Sequence, residues 1–267
     1  MLTHWKQLLL LVALVTMFCI PTDLYADSVS QRDELKKFIL KTIQDHPQVI
    51  LDILRNNSET VLDVAQEGSN QRRIHALKKQ WKKDLTEEKT IRTNDRPILG
   101  RVDAKVRIVA FSDFTCHYCQ ASKKVIDSIL AEYKDKVAFI FKSIPFEEKG
   151  PSASAALWFL AIAQQDEDKA WDFYNTMFSE REKLQTEGDK FFRKTAKDMN
   201  LDMKKLEYDV RSNKKLKNLL KEDIDDANKL NVEGTPCFFV NNIVVRGAQP
   251  LEFFRIAVNM ALNEAEK

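Results

Sequence analysis

The clearest periodic signal in the chain lies between residues 105 and 144. Residues 105–112 form a short run of β-formers, and Phe114, Cys116 and Cys119 follow. Beyond Cys119 the apolar positions Val125, Ile126, Ile129, Leu130 and Tyr133 fall three and four apart, which predicts a helix. Residues 137–144 are a second strand of buried type, closed by Pro145. Strand, helix, strand in this order predicts parallel strands joined by a right-handed crossover. Residues 151–230 are helical in pattern throughout. Ala155, Ala156, Phe159, Leu160 and Ala163 mark one helix; Trp171, Phe173, Tyr174, Met177 and Phe178 mark another; residues 191–199 mark a third. Their aromatics read as core rather than as a cofactor box. Residues 237–240 and 243–245 form a hairpin about Asn241-Asn242, a pair compatible with a type I′ turn. Gly247 and Pro250 precede a last helix over 251–262.

The N-terminal part is patterned differently. Residues 28–57 are helical, with Leu35, Phe38, Ile39 and Ile43 on one stripe and a break at His46-Pro47. Pro47 is suited to open a new helix. Val49, Ile50, Ile53 and Leu54 repeat the spacing, and Val61, Leu62, Val64 and Ala65 continue it. Asn57 and Gly68 interrupt the register, so a long regular coiled coil is not supported. A weaker stripe resumes at Ile74, Leu77, Trp81 and Leu85. Helices this narrow in apolar content need a partner surface. Either they form an oligomerisation arm, giving a dimer or trimer, or they dock on the rest of the chain. Residues 86–97 read as a linker. Before all this, Lys6, an apolar run from Leu8 to Ile20, Pro21 and Leu24-Tyr25-Ala26 have the layout of a cleaved export signal. The run is about 13 residues, short of the roughly 20 that span a bilayer. The expected divisions are a signal over 1–26, a helical arm and linker over 27–95, and the main domain over 96–267, with a helical insertion at about 147–232.

Composition changes this picture little. The 267 residues are 44% hydrophobic and 31% charged, and the formal net charge is +2. That excludes a strong field for nucleic acid; the basic stretches 71–93 and 190–221 also carry acids and read as solvated helix faces. Removal of the leader takes away Cys19 and leaves Cys116, Cys119 and Cys237. Three cysteines are too few for a disulfide-stapled scaffold.

The candidate chemistry is the Cys116-His117-Tyr118-Cys119 motif at a strand-to-helix junction. Free N–H groups and the helix dipole stabilise negative charge there. Thiols so placed titrate at about 3.5–7.5 rather than near 8.5. Cys119 lies one turn further on, as a resolving thiol requires. The other chemical class open to these residues is a copper-type metal site of Cys116, Cys119 and, as a third soft ligand, Cys237. No second Cys-x-x-Cys is present, whereas structural zinc takes four ligands.

Phe-Ser-Asp-Phe-Thr-Cys-His-Tyr-Cys at 111–119, together with Gly-Thr-Pro-Cys-Phe-Phe-Val-Asn at 234–241, resembles the DsbA-like family of exported thiol–disulfide oxidoreductases. The resemblance covers about 97–262. It implies an α/β thioredoxin fold with a helical insertion, here preceded by an all-helical arm. The arm makes the layout similar to ScsC-like and Com1-like members, some of which are isomerases. The family implies that Cys116 attacks and Cys119 resolves, and that His117 tunes the thiolate. It implies a cis Thr235–Pro236 bond, substrate binding at Thr235, Pro236 and Tyr118, and no metal or cofactor. The partners implied are secreted cysteine-containing proteins and a membrane redox protein that recycles the thiol pair. The implied location is the periplasm or another exported compartment. Two positions depart from the family. Ala110 stands where a buried carboxylate is frequent, with Asp113 and Glu233 as possible substitutes. Cys237, next to Pro236, is either a core residue or a third thiol beside the pair.

Overall fold

The computed structural model describes the backbone of residues 23–266 and the side chains of residues 31–266. The expected leader lies, as far as residue 22, outside the described residues, and so does Cys19. Among the described residues no helix is long and apolar enough to cross a membrane.

The chain divides into two compact units at Gln71/Arg72. The first holds α1 (Asp23–Asp45), α2 (Pro47–Asn56) and the opening turns of α3 (Ser58–Thr86). His46 caps α2 and Pro47 occupies its first turn, as expected. Gly68 does not break α3. An interior glycine costs about 1 kcal/mol, too little to interrupt so long a helix. All residues from 31 to 70 are exposed, including Phe38, Leu62 and Val64.

The second unit is built on one five-stranded sheet, in the order β1 (Ile98–Leu99), β3 (Val137–Ser143), β2 (Val106–Ser112), β4 (Cys237–Val240), β5 (Ile243–Arg246). β2 and β3 are parallel, with Val106 opposite Val137, and the other pairings are antiparallel. Between β2 and β3 runs α4 (His117–Tyr133), which completes the expected crossover unit. Alternation sorts the sheet into two faces. Ile108, Ala110, Phe139, Phe141, Phe238 and Val240 face the main core, together with α4 and α11 (Leu251–Ala265). Val109, Phe111, Ile140, Cys237 and Phe239 face a smaller cluster with Ala227. The insertion is six helices: α5 (Pro151–Ala163), α6 (Glu167–Ser179), α7 (Arg181–Glu187), α8 (Asp189–Asp198), α9 (Met203–Ser212) and α10 (Lys214–Lys229).

On the smaller face Lys142 of β3 is fully buried. Its Nζ donates to Asp226 at 2.6 Å and to the Arg92 carbonyl at 2.7 Å. Arg96 donates to Asp223 at 2.6 Å, and the Ser143 N–H donates to the other Asp223 oxygen. Burial pushes Asp223 up against the pull of both cations. This network ties the 91–96 segment to β3 and α10. A buried charge is tolerable when it is paired and hydrogen-bonded in this way.

Two expectations are corrected here. The hairpin turn has positive φ at Asn241 but not at Asn242, whereas type I′ needs it at both. The Asn241 side chain accepts from the Arg107 N–H at 2.8 Å and donates to the Lys105 carbonyl, so the residue is tied to β2. The 27–95 segment is also not a single arm. Ile74, Leu77, Trp81 and Leu85 of α3 belong to the main core of the second unit. Trp81 Nε1 donates to the Val244 carbonyl at 2.9 Å, and Asp84 accepts from the Val244 N–H at 3.1 Å. The last turns of α3 thus close the open edge of β5.

Trp81 is 2% exposed. Trp81→Ala is expected to destabilise the protein by about 3–5 kcal/mol through loss of buried area and a residual cavity. The measurement is the urea midpoint at unchanged m-value; an unshifted midpoint would show that α3 is not part of this core.

Candidate active site

Cys116 is the N-cap of α4, in extended conformation (φ −73°, ψ 123°). Its carbonyl accepts the Gln120 N–H in the first helical bond, and its own N–H donates to the Asp113 carbonyl. Its Sγ accepts the Cys119 N–H at 3.3 Å. As a thiol it faces the Thr235 carbonyl at 3.6 Å. The three described cysteines are all free.

The two thiols of the motif are strongly unequal. Cys116 is lowered to about 6, chiefly by the hydrogen bond from the Cys119 thiol, with the Thr235 side chain and the Cys119 and Tyr118 N–H groups adding to it against partial burial. Cys119 is buried, and burial together with the neighbouring sulfur pushes it well above the usual thiol range. One sulfur is therefore ionised near neutrality and its neighbour holds a proton.

The Thr235–Pro236 peptide bond is cis. It brings the Thr235 carbonyl to Cys116, and the Pro236 carbonyl accepts the Gly247 N–H at 2.8 Å. Tyr118 is 65% exposed beside the sulfur. His117 is exposed as well, its ring edge-on to Tyr118 at 5.8 Å. The donors that lower Cys116 come from Cys119, Thr235 and Tyr118; the imidazole is not one of them.

The two possible carboxylate substitutes do not occupy the place of Ala110. Asp113 is buried, but its oxygens already accept from Thr115 N, Thr115 Oγ1, Phe146 N and Ser152 Oγ at 2.5–2.7 Å. Glu233 is exposed. The polar side chain that does reach the buried thiol is Ser112, whose hydroxyl hydrogen-bonds Cys119. Cys237 is a core residue. It is 1% exposed on the opposite sheet face from the motif, and burial raises it to about 11. It therefore adds no third thiolate to the pair, and no cluster of three or more metal-ligating side chains occurs among the described residues.

Sequence reasoning passed over Ser112, Arg181 and Gln120. Ser112 was within reach, as the last polar position of β2. Arg181 gave no local signal. It stands far along the chain, yet its guanidinium donates to the Thr115 carbonyl at 3.0 Å and to Gln120 at 3.1 Å.

Residues 92–260 match the family model described as Thioredoxin. The chain is 33% identical over 150 residues to a probable disulfide bond formation protein D of Bacillus anthracis, covering 54% of this chain and 68% of that one. Among solved structures, oxidised BdbD from Bacillus subtilis superposes with a TM-score of 0.56 at 21% identity, over 67% of this chain and 98% of that one. Proteus mirabilis ScsC in a compact conformation superposes with a TM-score of 0.56 at 20% identity, over 84% and 100%. At such identities the two structures speak for the fold alone.

The titration carries a sign. Above about pH 6 folded Cys116 loses a proton that the unfolded chain keeps until about 9, the ordinary thiol value. The reduced protein is therefore expected to gain stability as pH rises from about 6 to 9, and to lose that gain as pH falls through about 6. Cys119, raised instead, counts against the folded state only above about 9. Thiolate absorbance near 240 nm should show one step close to pH 6, absent in Cys116→Ser; a single step near 8.5 would contradict the geometry.

Proposed function

Because the chain belongs to the thioredoxin family and is a DsbA-like thiol–disulfide oxidoreductase, we propose that it makes or rearranges disulfides in exported proteins, with Cys116 as the attacking sulfur and Cys119 as the resolving one. The observation that carries this reading is the place of the Cys116 sulfur, which caps α4, accepts the Cys119 N–H at 3.3 Å and lies 3.6 Å from the Thr235 carbonyl.

In the oxidising direction a substrate thiolate attacks Cys116 Sγ of the Cys116–Cys119 disulfide. A substrate–Cys116 disulfide forms, and the electron pair of the broken bond goes to Cys119, which takes up a proton. A second substrate thiolate then attacks the substrate sulfur and expels Cys116 as thiolate. The substrate loses two electrons and the protein ends as a dithiol. A further turnover requires a disulfide-bearing partner to accept those electrons, and a membrane redox protein fits that need. In the isomerising direction the Cys116 thiolate attacks a substrate disulfide, and a different substrate thiolate later releases it, with no net redox change. A low thiol pKa favours both directions, since Cys116 leaves readily and is ionised when it attacks.

The substrate strand pairs with the backbone at Thr235, where Pro236 has no N–H to offer, and Tyr118 packs on it. His117, exposed at the mouth, makes its contacts with the bound chain. The first unit supplies the oligomer. Its exposed Leu35, Phe38, Val49, Ile53, Leu62 and Val64 form apolar stripes of the kind that a second copy buries. The pairing of several thiol sites in one particle supports isomerisation, and the short apolar N-terminal run supports export.

Cys116→Ser is expected to abolish insulin reduction and repair of scrambled ribonuclease, while Cys119→Ser accumulates a mixed disulfide visible by mass; turnover retained without Cys116 refutes the scheme. Deletion of residues 28–70, which spares the docked turns of α3, is expected to convert a dimer or trimer to monomer by light scattering. Insulin reduction should persist and isomerase activity should fall. An intact chain that is already monomeric excludes the role given to the first unit.

A further inference from the structure

Phe146 is 90% exposed, the most exposed large apolar side chain among the described residues. It does not sit on a loose loop. The chain leaving β3 is tied twice to the segment that carries Cys116. The Ile144 N–H donates to the Ser112 carbonyl at 2.8 Å, and the Phe146 N–H donates to the buried Asp113 carboxylate at 2.7 Å. The same carboxylate holds Thr115, the residue before Cys116, through N–H and hydroxyl. The backbone of Phe146 is thus fixed relative to the nucleophile while its ring is left to solvent. An aromatic side chain on a fixed backbone has only two torsions to lose on binding, a usual character of an interaction anchor.

The ring forms a wall of a groove of about 590 Å³. Cys116 and Thr235 lie along this groove, and Ile144, Pro145, Val232 and Gly234 complete its apolar lining. On the far side of the ring a second, smaller depression is lined by Pro151, Ser152 and Glu147. The free carboxylates at the two rims are Glu233 and Glu147, since Asp113 is already saturated. No lysine or arginine lines either depression.

We propose that Phe146 and Glu233 form a specificity subsite for the substrate chain, one that selects an apolar residue next to a basic residue on one flank of the target cysteine. The inference rests on the thiol–disulfide reading of Cys116. A chain joined to that sulfur and paired with Thr235 must cross the groove on one side. Its apolar side chain covers Phe146 and the Ile144–Pro145 wall, and its cationic side chain meets Glu233. The preference therefore comes from buried apolar area plus a charge pair at the rim, and only the second part is sensitive to salt.

The test uses the full-length oxidised protein and short synthetic peptides with one central cysteine. Leu-Lys is placed immediately before or after the cysteine, and Ser-Glu in the same places serves for comparison. Loss of the Cys116–Cys119 disulfide is followed, with glutathione thiol as a probe too small to fill the groove. On one flank the Leu-Lys peptide is expected to react about tenfold faster than the Ser-Glu peptide. In Phe146→Ala the apolar part of that ratio should be lost, leaving only the smaller, salt-sensitive part carried by the lysine. Truncating a side chain this exposed removes no core packing, and the ratio is independent of the overall rate. In Glu233→Gln only the lysine part of the preference, with its salt dependence, should disappear. A ratio unchanged in Phe146→Ala overturns the subsite, as does a wild-type protein that oxidises glutathione yet shows no preference. A protein that oxidises neither glutathione nor peptide overturns the thiol–disulfide reading instead.

Discussion

The negative charge on one sulfur is the constraint around which the site is arranged. At the first turn of α4 the N–H groups of Tyr118 and Cys119 have no helical acceptor, and the sulfur of Cys116 takes that place. The neighbouring thiol, buried beneath it, keeps its proton and donates it to the bond. The asymmetry is self-reinforcing: a proton held by Cys119 lowers Cys116, and a charge on Cys116 raises Cys119. In the proposed scheme attack therefore falls to the accessible sulfur, and Cys119 becomes a nucleophile only when the Cys116 charge is consumed in a mixed disulfide. That ordering arises from burial and hydrogen bonding alone, without a carboxylate at Ala110.

Such a charge is useful only if the sulfur keeps its place, and three segments far apart in sequence hold it there. Phe114, two residues before Cys116, is fully buried among Phe141, Phe159, Tyr174 and Phe178, with ring centroids 4.7–6.1 Å away. Asp113 fastens the same stretch to the exit of β3 and to the start of α5. Arg181, the first residue of α7, holds the Thr115 carbonyl. The helical insertion therefore acts as the outer wall of the nucleophile loop. Loss of the Phe114 ring cluster would release the residue that the Asp113 and Arg181 bonds are meant to position.

What could be read from the sequence follows from the range of each interaction. The crossover unit, the helix start at Cys116 and the hairpin after Pro236 are written in spacings of two, three and four residues, and all are present. Arg181 and Trp81 meet their partners across 66 and 163 residues, and no local pattern reports that. Lys142 stands in a strand of buried type, and no local pattern reports that Asp223, Asp226 and the Arg92 carbonyl converge on it. Gly68 interrupts the apolar register without ending α3, because a helix is decided over its whole length. The sequence leaves Cys237 open between core and site, and the sheet register fixes its face. It pairs with Phe111, one residue out of phase with Ala110 and Phe238, which face the motif.

The closing of β5 by α3 gains its meaning from the chemistry beside it. In the proposed scheme the backbone at Thr235 receives extended, cysteine-bearing chains, which places them close to the rest of the sheet. An open edge strand pairs with such chains indiscriminately. Here the outward N–H and C=O of Val244 are taken by Asp84 and Trp81, which imitate a neighbouring strand with side chains of a helix. At the opposite edge β1 is only two residues long, and its Ile98 N–H is taken by Glu167. These edge positions are thus satisfied from within the chain, and in the proposed scheme the Thr235 backbone beside Cys116 is where an incoming strand pairs. Under that scheme selectivity for the cysteine follows from geometry, because Thr235 lies 3.6 Å from the Cys116 sulfur and a chain paired there has its own sulfur within reach.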